Sequence, residues 1–432
     1  MAAHAVESSS PASTAGATAK PRPRRRRPDI EGLRAVAVLL VIADHLASEP
    51  AGGFIGVDVF FVISGFLITG LLVREARATG RISLLNFYGR RFRRIVPAAV
   101  LVLAVTAYAA HLIFIAARAD KVRTDALFAA VFGANWHFAA TGTDYFQQGV
   151  TVSPLQHYWS LSVEEQFYVL WPWVVLLLVL AERRLARRVG PALTLGVTMA
   201  LTAVSFEWAV HESGRSPVAA YFSSFDRAWE LGVGACLAVL SAALNRLPAW
   251  LRPPLAYSGL AAIAVAAVTI TSTSTFSPPW AAVAVGGAAL VIMAGSGAQS
   301  YRYLWVLTNP LATWIGALSY SLYLWHYPVI IFAQTLVARR DAGFYLGVCA
   351  VTVALSVVSY YVIENPIRRS SLFAPRSQRP AHVLRMSSGR ARRADRSARL
   401  RAGVVAAAVA MVAAVLTVSA AREGASRRPI AF

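Results

Sequence analysis

Apolar residues along this chain gather in long unbroken runs separated by short polar breaks that carry arginines, a pattern unlike the striped helices of a soluble protein. A run of about 20 apolar residues matches the hydrocarbon thickness of a bilayer. Such runs lie at roughly 32–48, 54–73, 96–116, 158–180, 191–210, 221–243, 256–272, 279–297, 311–336, 342–363 and 402–420. The stretch 126–140 is apolar but short and holds Asn135, Trp136 and His137, so it predicts a re-entrant or interfacial helix rather than another span. The expected fold class is therefore all-α: a polytopic transmembrane helical bundle with a ten-helix core and an eleventh, C-terminal span. No internal repeat is visible in the sequence.

Composition agrees, since 57% apolar residues and a mean hydropathy of +0.53 exceed what soluble domains carry. Lys plus Arg number 42 against 21 Asp plus Glu, a formal charge of +21. These charges sit in clusters between the apolar runs, as the positive-inside rule predicts, and not along one groove as nucleic-acid binding requires. With the N-terminus cytoplasmic, the connections at Arg74 to Arg94, Arg183 to Arg188, Arg246 to Arg252, Arg302 and Arg368 to Arg401 all fall inside; Arg339-Arg340 is the exception. The expected location is the plasma membrane, crossed many times, with membrane lipid as partner and no nucleic acid.

The segments divide into a disordered basic cytoplasmic tail over 1–28, a membrane domain over 29–369, a basic cytoplasmic linker over 370–401, a further span over 402–420 and a short extracytoplasmic tail over 421–432. The first apolar run contains Arg34 and ends in Asp44-His45, and many spans follow it, so it reads as a retained helix rather than a cleaved leader. Cys236 and Cys349 lie inside apolar runs as buried thiols, without metal-ligand or disulfide spacing. The histidines are likewise too far apart for a metal site.

Ionisable side chains at membrane depth are costly and usually face a cavity or a partner. Arg34 and His45 are eleven residues apart, within about 20 degrees of whole turns and about 16 Å along one helix face. An arginine at the inner mouth can grip phosphate, and a histidine farther up the wall can serve as general base. Asp58, four residues past the turn Ser48 to Gly53, reaches a depth similar to His45 and can orient it. Arg90, Arg91, Arg93 and Arg94, interrupted by Phe92, suit topology and a polyphosphate equally. In the segment that opens the fourth span, Ser162 and Glu165 have capping-box spacing, which leaves Glu164, His157 and Trp159 unexplained at the mouth of a cavity. His326 stands beside a proline near mid-membrane, and Glu364 closes the tenth span before Asn365-Pro366, as a helix end or as a functional group.

Together and in this order these segments resemble the acyltransferase 3 family of bacterial membrane O-acyltransferases, the group that acetylates peptidoglycan and lipopolysaccharide sugars. The resemblance covers 28 to about 369 and is carried by Arg34 with ten residues before His45, by Gly53 to Phe66, by Arg90 to Pro97, by Trp159 to Tyr168 and by Ser319 to Pro328. It implies acetyl-CoA or another acyl-CoA as cytoplasmic donor, His45 as the essential catalytic histidine, and Arg34 with the loop arginines Arg90, Arg91, Arg93 and Arg94 as donor ligands. The reaction it implies is transfer of an acyl group, acetyl in the first instance, to a hydroxyl of a cell-envelope glycan or lipid-linked acceptor, without a metal.

On the mechanism expected, His45, oriented by Asp58, deprotonates the acceptor or carries the acyl group. Glu164 belongs to the catalytic set, and His157, Trp159, His326 and Glu364 line the substrate side. Larger members that resemble this chain follow an eleventh span with an extracytoplasmic esterase-like domain bearing a Ser-Asp-His triad. This sequence reaches Phe432 without one, so either the membrane domain acylates its acceptor directly, or a separate extracytoplasmic transferase or esterase finishes the task, or the chain is truncated. A transporter or flippase for an acylated or anionic substrate is the reading from another class; inverted repeats are its mark, and none is found.

Overall fold

The structure is a computed structural model and describes residues 27–142, 152–184, 190–271 and 278–369. The tail expected over 1–28 lies outside the described residues except for its last two positions, and the linker, final span and terminal tail expected over 370–432 lie outside them entirely. In chain order the helices are α1 (Pro28–Ala47), α2 (Gly56–Thr79), α3 (Leu84–Ile113), α4 (Ala116–Ala130), α5 (Ala134–Ala140), α6 (Tyr158–Arg184), α7 (Gly190–Arg215) and α8 (Pro217–Phe222). They continue with α9 (Ser224–Val239), α10 (Ser241–Leu244), α11 (Arg252–Thr269), α12 (Pro278–Gly295), α13 (Trp305–Thr308), α14 (Pro310–Leu336), α15 (Ala342–Val358) and α16 (Asn365–Arg369). No strand occurs among the described residues, so the chain is an all-α bundle.

Local chemistry sets the ends of these helices. Pro28 starts α1, where a missing N–H costs nothing, and Asp29 and Glu31 sit in its first turn against the positive end of the helix dipole. Asn309 caps α14 by accepting from the Ala312 N–H at 2.9 Å, and Asp341 caps α15 through the Phe344 N–H at 3.1 Å. Gly80, at φ 69°, ends α2 by donating to the Ala76 carbonyl, a left-handed position that glycine adopts without strain.

Seven of the helices, among them α3, α6, α14 and α15 with its continuation to Arg369, are long and apolar enough to cross a membrane. Large apolar side chains such as Leu170, Leu177, Val204 and Leu346 are exposed on the outside of the bundle, which only a lipid surround makes favourable. The chain is thus a multi-pass helical membrane protein. Each of the ten apolar runs drawn before 369 coincides with a helix, but α1 carries Asp29, Glu31, Arg34 and Asp44, and α9 has only 16 residues. The short stretch at 126–140 becomes the last turn of α4, a break at 131–133 and the short helix α5.

Two helix contacts position the site. α1 and α14 run parallel: Gly316 lets the α14 backbone sit directly on the Glu31 carbonyl, and ten residues farther His326 meets His45. α2 and α9 pack as closely, because a Cβ on Gly65 would overlap the Leu231 backbone and one on Gly234 the Val62 backbone. Both contacts bring polar side chains from distant parts of the sequence to a common depth.

Candidate active site

Helical spacing on α3 divides its arginine cluster. Arg91 and Arg94, one turn apart, face a cavity of about 750 Å³, mouth included, that Arg34 also lines together with Ser64, Glu164, Tyr168 and Tyr323. Arg91 stacks over the Tyr168 ring at 4.3 Å, and Arg34 is held 3.5 Å from Glu31. Arg90 and Arg93 occupy a neighbouring face; Arg90 is exposed and pairs with Glu75 at 3.3 Å. Of the five arginines expected as donor ligands, three therefore share the cavity and two do not line it.

Glu164 also belongs to this cavity, accepting hydrogen bonds from the Ser64 and Tyr168 hydroxyls. It therefore stands with the arginines and not beside His45, with which the sequence grouped it in the catalytic set. Glu364 shifts the same way: it accepts from Ser321 Oγ at 3.0 Å and lies 4.0 Å from Arg368, with Arg94 and Arg34 in electrostatic reach. Both carboxylates balance a concentration of arginines at the end of the bundle where α1 begins. The capping box is not formed either, since α6 begins four residues earlier at Tyr158, and Ser162 Oγ donates to the Tyr158 carbonyl.

Farther along α1 lies a cluster of three histidines. His45 Nδ1 is 2.9 Å from His326 Nε2, the two rings stacked at 11° and 5.1 Å between centroids. Pro328 explains how the third enters: it has no N–H to give the carbonyl four residues back, so the Leu324 oxygen is left to accept from His157 Nε2 at 3.2 Å. His157 and His326 are both fully buried, their rings 5.4 Å apart, so His157 lies within this cluster rather than at a cavity mouth. Tyr323 connects the two centres. It lines the arginine cavity, its hydroxyl donates to the His157 carbonyl at 3.0 Å and meets Ser160 Oγ at 2.5 Å, and its own carbonyl accepts from His326 Nδ1 at 2.6 Å.

Asp58 does not orient His45. Its Oδ1 accepts from Arg227 Nη1 at 3.1 Å, while the same nitrogen donates to Glu230 Oε1 at 2.6 Å, all three side chains fully buried. The close approach of α2 to α9 brings Asp58 to Arg227, and a buried carboxylate beside a guanidinium stays with it. Trp159, expected at the substrate side, is buried in this second cluster, its ring 5.2 Å from the Arg227 guanidinium, with Tyr221 at 5.1 Å on the same cation. Sequence reading passed over Arg227 and Glu230, although two charges three apart within an apolar run were the signal. No group of three or more histidine, cysteine or acidic residues with metal-binding geometry occurs among the described residues. Cys349 is exposed on α15 and Cys236 half-buried, so neither is the fully buried thiol expected.

A basic cavity joined through Tyr323 to a histidine pair is suited to holding an anionic donor at one end and moving a proton at the other. Residues 27–361 match the acyltransferase 3 family, described as an acyltransferase domain. The chain is 33% identical over 361 residues to the peptidoglycan O-acetyltransferase OatA of Listeria monocytogenes, covering 80% of this chain and 56% of that protein. It is 32% identical over 359 residues to the O-acetyltransferase OatA of Staphylococcus aureus, covering 81% and 58%. The chain thus spans little more than half the length of these relatives, and no solved structure matches it. By the extent of the match and the identity to these enzymes, the chain belongs to the acyltransferase 3 family.

Proposed function

We propose that the chain is a membrane O-acyltransferase that moves an acyl group, acetyl in the first instance, from a cytoplasmic acyl-CoA to a hydroxyl of a cell-envelope glycan. The observation that carries this reading is the convergence of Arg34, Arg91 and Arg94 on one cavity whose wall, Tyr323, also binds His326, the partner of His45. Charge-assisted, bidentate bonds from guanidinium groups suit the phosphates of the donor. The arginine-rich end is then cytoplasmic by the positive-inside rule, with the N-terminus on that side. His45 stands about 16 Å farther along α1, a distance that a flexible thioester arm spans. The glycan acceptor is suggested by the peptidoglycan named for the Listeria relative.

The chemistry is a single displacement. His45 takes the proton of the acceptor hydroxyl as its oxygen bonds to the thioester carbonyl carbon. The carbon–sulfur bond breaks, and the departing thiolate takes the proton from His45, giving the ester and free CoA thiol. Purified protein in lipid vesicles, given radiolabelled acetyl-CoA and a soluble glycan, is expected to label the glycan. His45→Ala is expected to lower the rate by at least about 100-fold, the span of general-base catalysis. Undiminished labelling by a folded His45→Ala protein would overturn the reading.

A further inference from the structure

Ser319 and Ser321 stand two residues apart on α14 and are both fully buried, but their hydroxyls are treated differently. Ser321 Oγ donates to Glu364 Oε2 at 3.0 Å. Ser319 Oγ has no hydrogen-bond partner among the described residues. A buried hydroxyl left in that state costs free energy, and the cost calls for a reason. Ser319 forms part of the wall of the arginine cavity, and its hydroxyl turns on a single side-chain torsion. The other hydroxyls of that wall are committed. Ser64 and Tyr168 donate to Glu164, and Tyr320 donates to the Ile95 carbonyl at 2.7 Å. Tyr323 and Ser160 bind each other and the His157 carbonyl. The guanidinium groups of Arg34, Arg91 and Arg94 can only donate, whereas the Ser319 hydroxyl can donate and accept.

We infer that Ser319 is a donor-binding residue whose hydroxyl pairs with an amide of the carrier arm that joins the thioester to the phosphates of acyl-CoA. Its height along α14 favours the arm over the phosphates. Ser319 precedes His326 by seven residues, about 10 Å of helix and within about 20 degrees of whole turns, with Tyr323 between them. A donor gripped by Arg34, Arg91 and Arg94 therefore extends its arm past Ser319 on the way to the histidines. Much of the wall along that course is apolar, with Val57, Phe60, Phe61 and Leu161 in it, and suits the methylene parts of such an arm. The amides of the arm each carry one N–H and one carbonyl, and a serine can meet either. In the empty cavity the unpaired hydroxyl weakens the fold, and the bound donor relieves it, a trade of stability for affinity.

The inference rests on the acyl-CoA reading, and its test uses two measurements of opposite expected sign, neither involving turnover. In thermal unfolding without ligand, Ser319→Ala removes a hydroxyl that has no partner and is expected to raise the unfolding temperature. Ser321→Ala, which takes a partner from Glu364, is expected to lower it. In equilibrium binding to protein in lipid nanodiscs, CoA itself is expected to bind Ser319→Ala about 3- to 10-fold more weakly than wild type, the span of one neutral hydrogen bond. The nucleotide half of CoA, which keeps the phosphates and lacks the arm, should bind both proteins alike. A lower unfolding temperature for Ser319→Ala would show the hydroxyl already paired inside the protein and would overturn the inference. Equal CoA affinity in the two proteins would overturn it as well, and so would a loss as large for the nucleotide half as for CoA. A wild type that binds neither CoA nor its nucleotide half would remove acyl-CoA as the donor and the inference with it, whereas a wild type that binds CoA beside an indifferent Ser319→Ala defeats the inference alone.

Discussion

Arg90 and Arg91 are adjacent in sequence, yet one is exposed beside Glu75 and the other lines the cavity, because successive helical residues point about 100 degrees apart. This gives a sharp contrast at the residue scale. Arg91→Ala or Arg94→Ala is expected to raise the donor KM about tenfold or more, since a hydrogen bond to a charged group contributes about 1.5–3 kcal/mol. Arg90→Ala should leave KM within about twofold in the same titration. The buried Arg227 predicts a different phenotype: Arg227→Leu leaves Asp58 and Glu230 together without their cation and should cost about 3–5 kcal/mol, read as a fall in thermal unfolding temperature. Arg34, His45 and His326 were legible in the sequence as ionisable residues at membrane depth. Their partners were not, because matched depth leaves open which neighbour a carboxylate faces. Asp58 has the right depth for His45 and belongs to Arg227 instead.

At the scale of elements, the apolar runs predicted where helices form because burial in lipid demands length and apolarity, both visible in one dimension. The interruptions were harder to read. The run drawn at 221–243 is split at Ser223, whose side chain caps α9 through the Asp226 N–H, and the run ending at 363 closes in a π-helical segment, Ser359–Glu364, that turns Glu364 toward Ser321. Close helix contacts were legible only as small residues; the structure supplies their partners. Gly65 is the clearest case, and Gly65→Val should separate α2 from α9 at a cost of about 1–3 kcal/mol, the range for overpacking. A thermal melt of purified Gly65→Val matching the wild type would show that the two helices are not held at this point.

Across the whole molecule the arginine cavity and the histidine pair lie at different heights along α1 and α14, and on the proposed function this separation makes the protein a conduit between faces. Orientation is testable without turnover. In a background of Cys236→Ala and Cys349→Ala, a membrane-impermeant maleimide should reach Arg90→Cys only from the cytoplasmic face and Lys121→Cys only from the other. The most direct test of transfer across the bundle uses sealed vesicles with radiolabelled acetyl-CoA enclosed on the arginine face and a glycan acceptor only on the opposite face. The account predicts labelled glycan outside, with label lost in both His45→Ala and Arg94→Ala while the vesicles stay sealed. Transfer that occurs only when donor and acceptor share one face would contradict it.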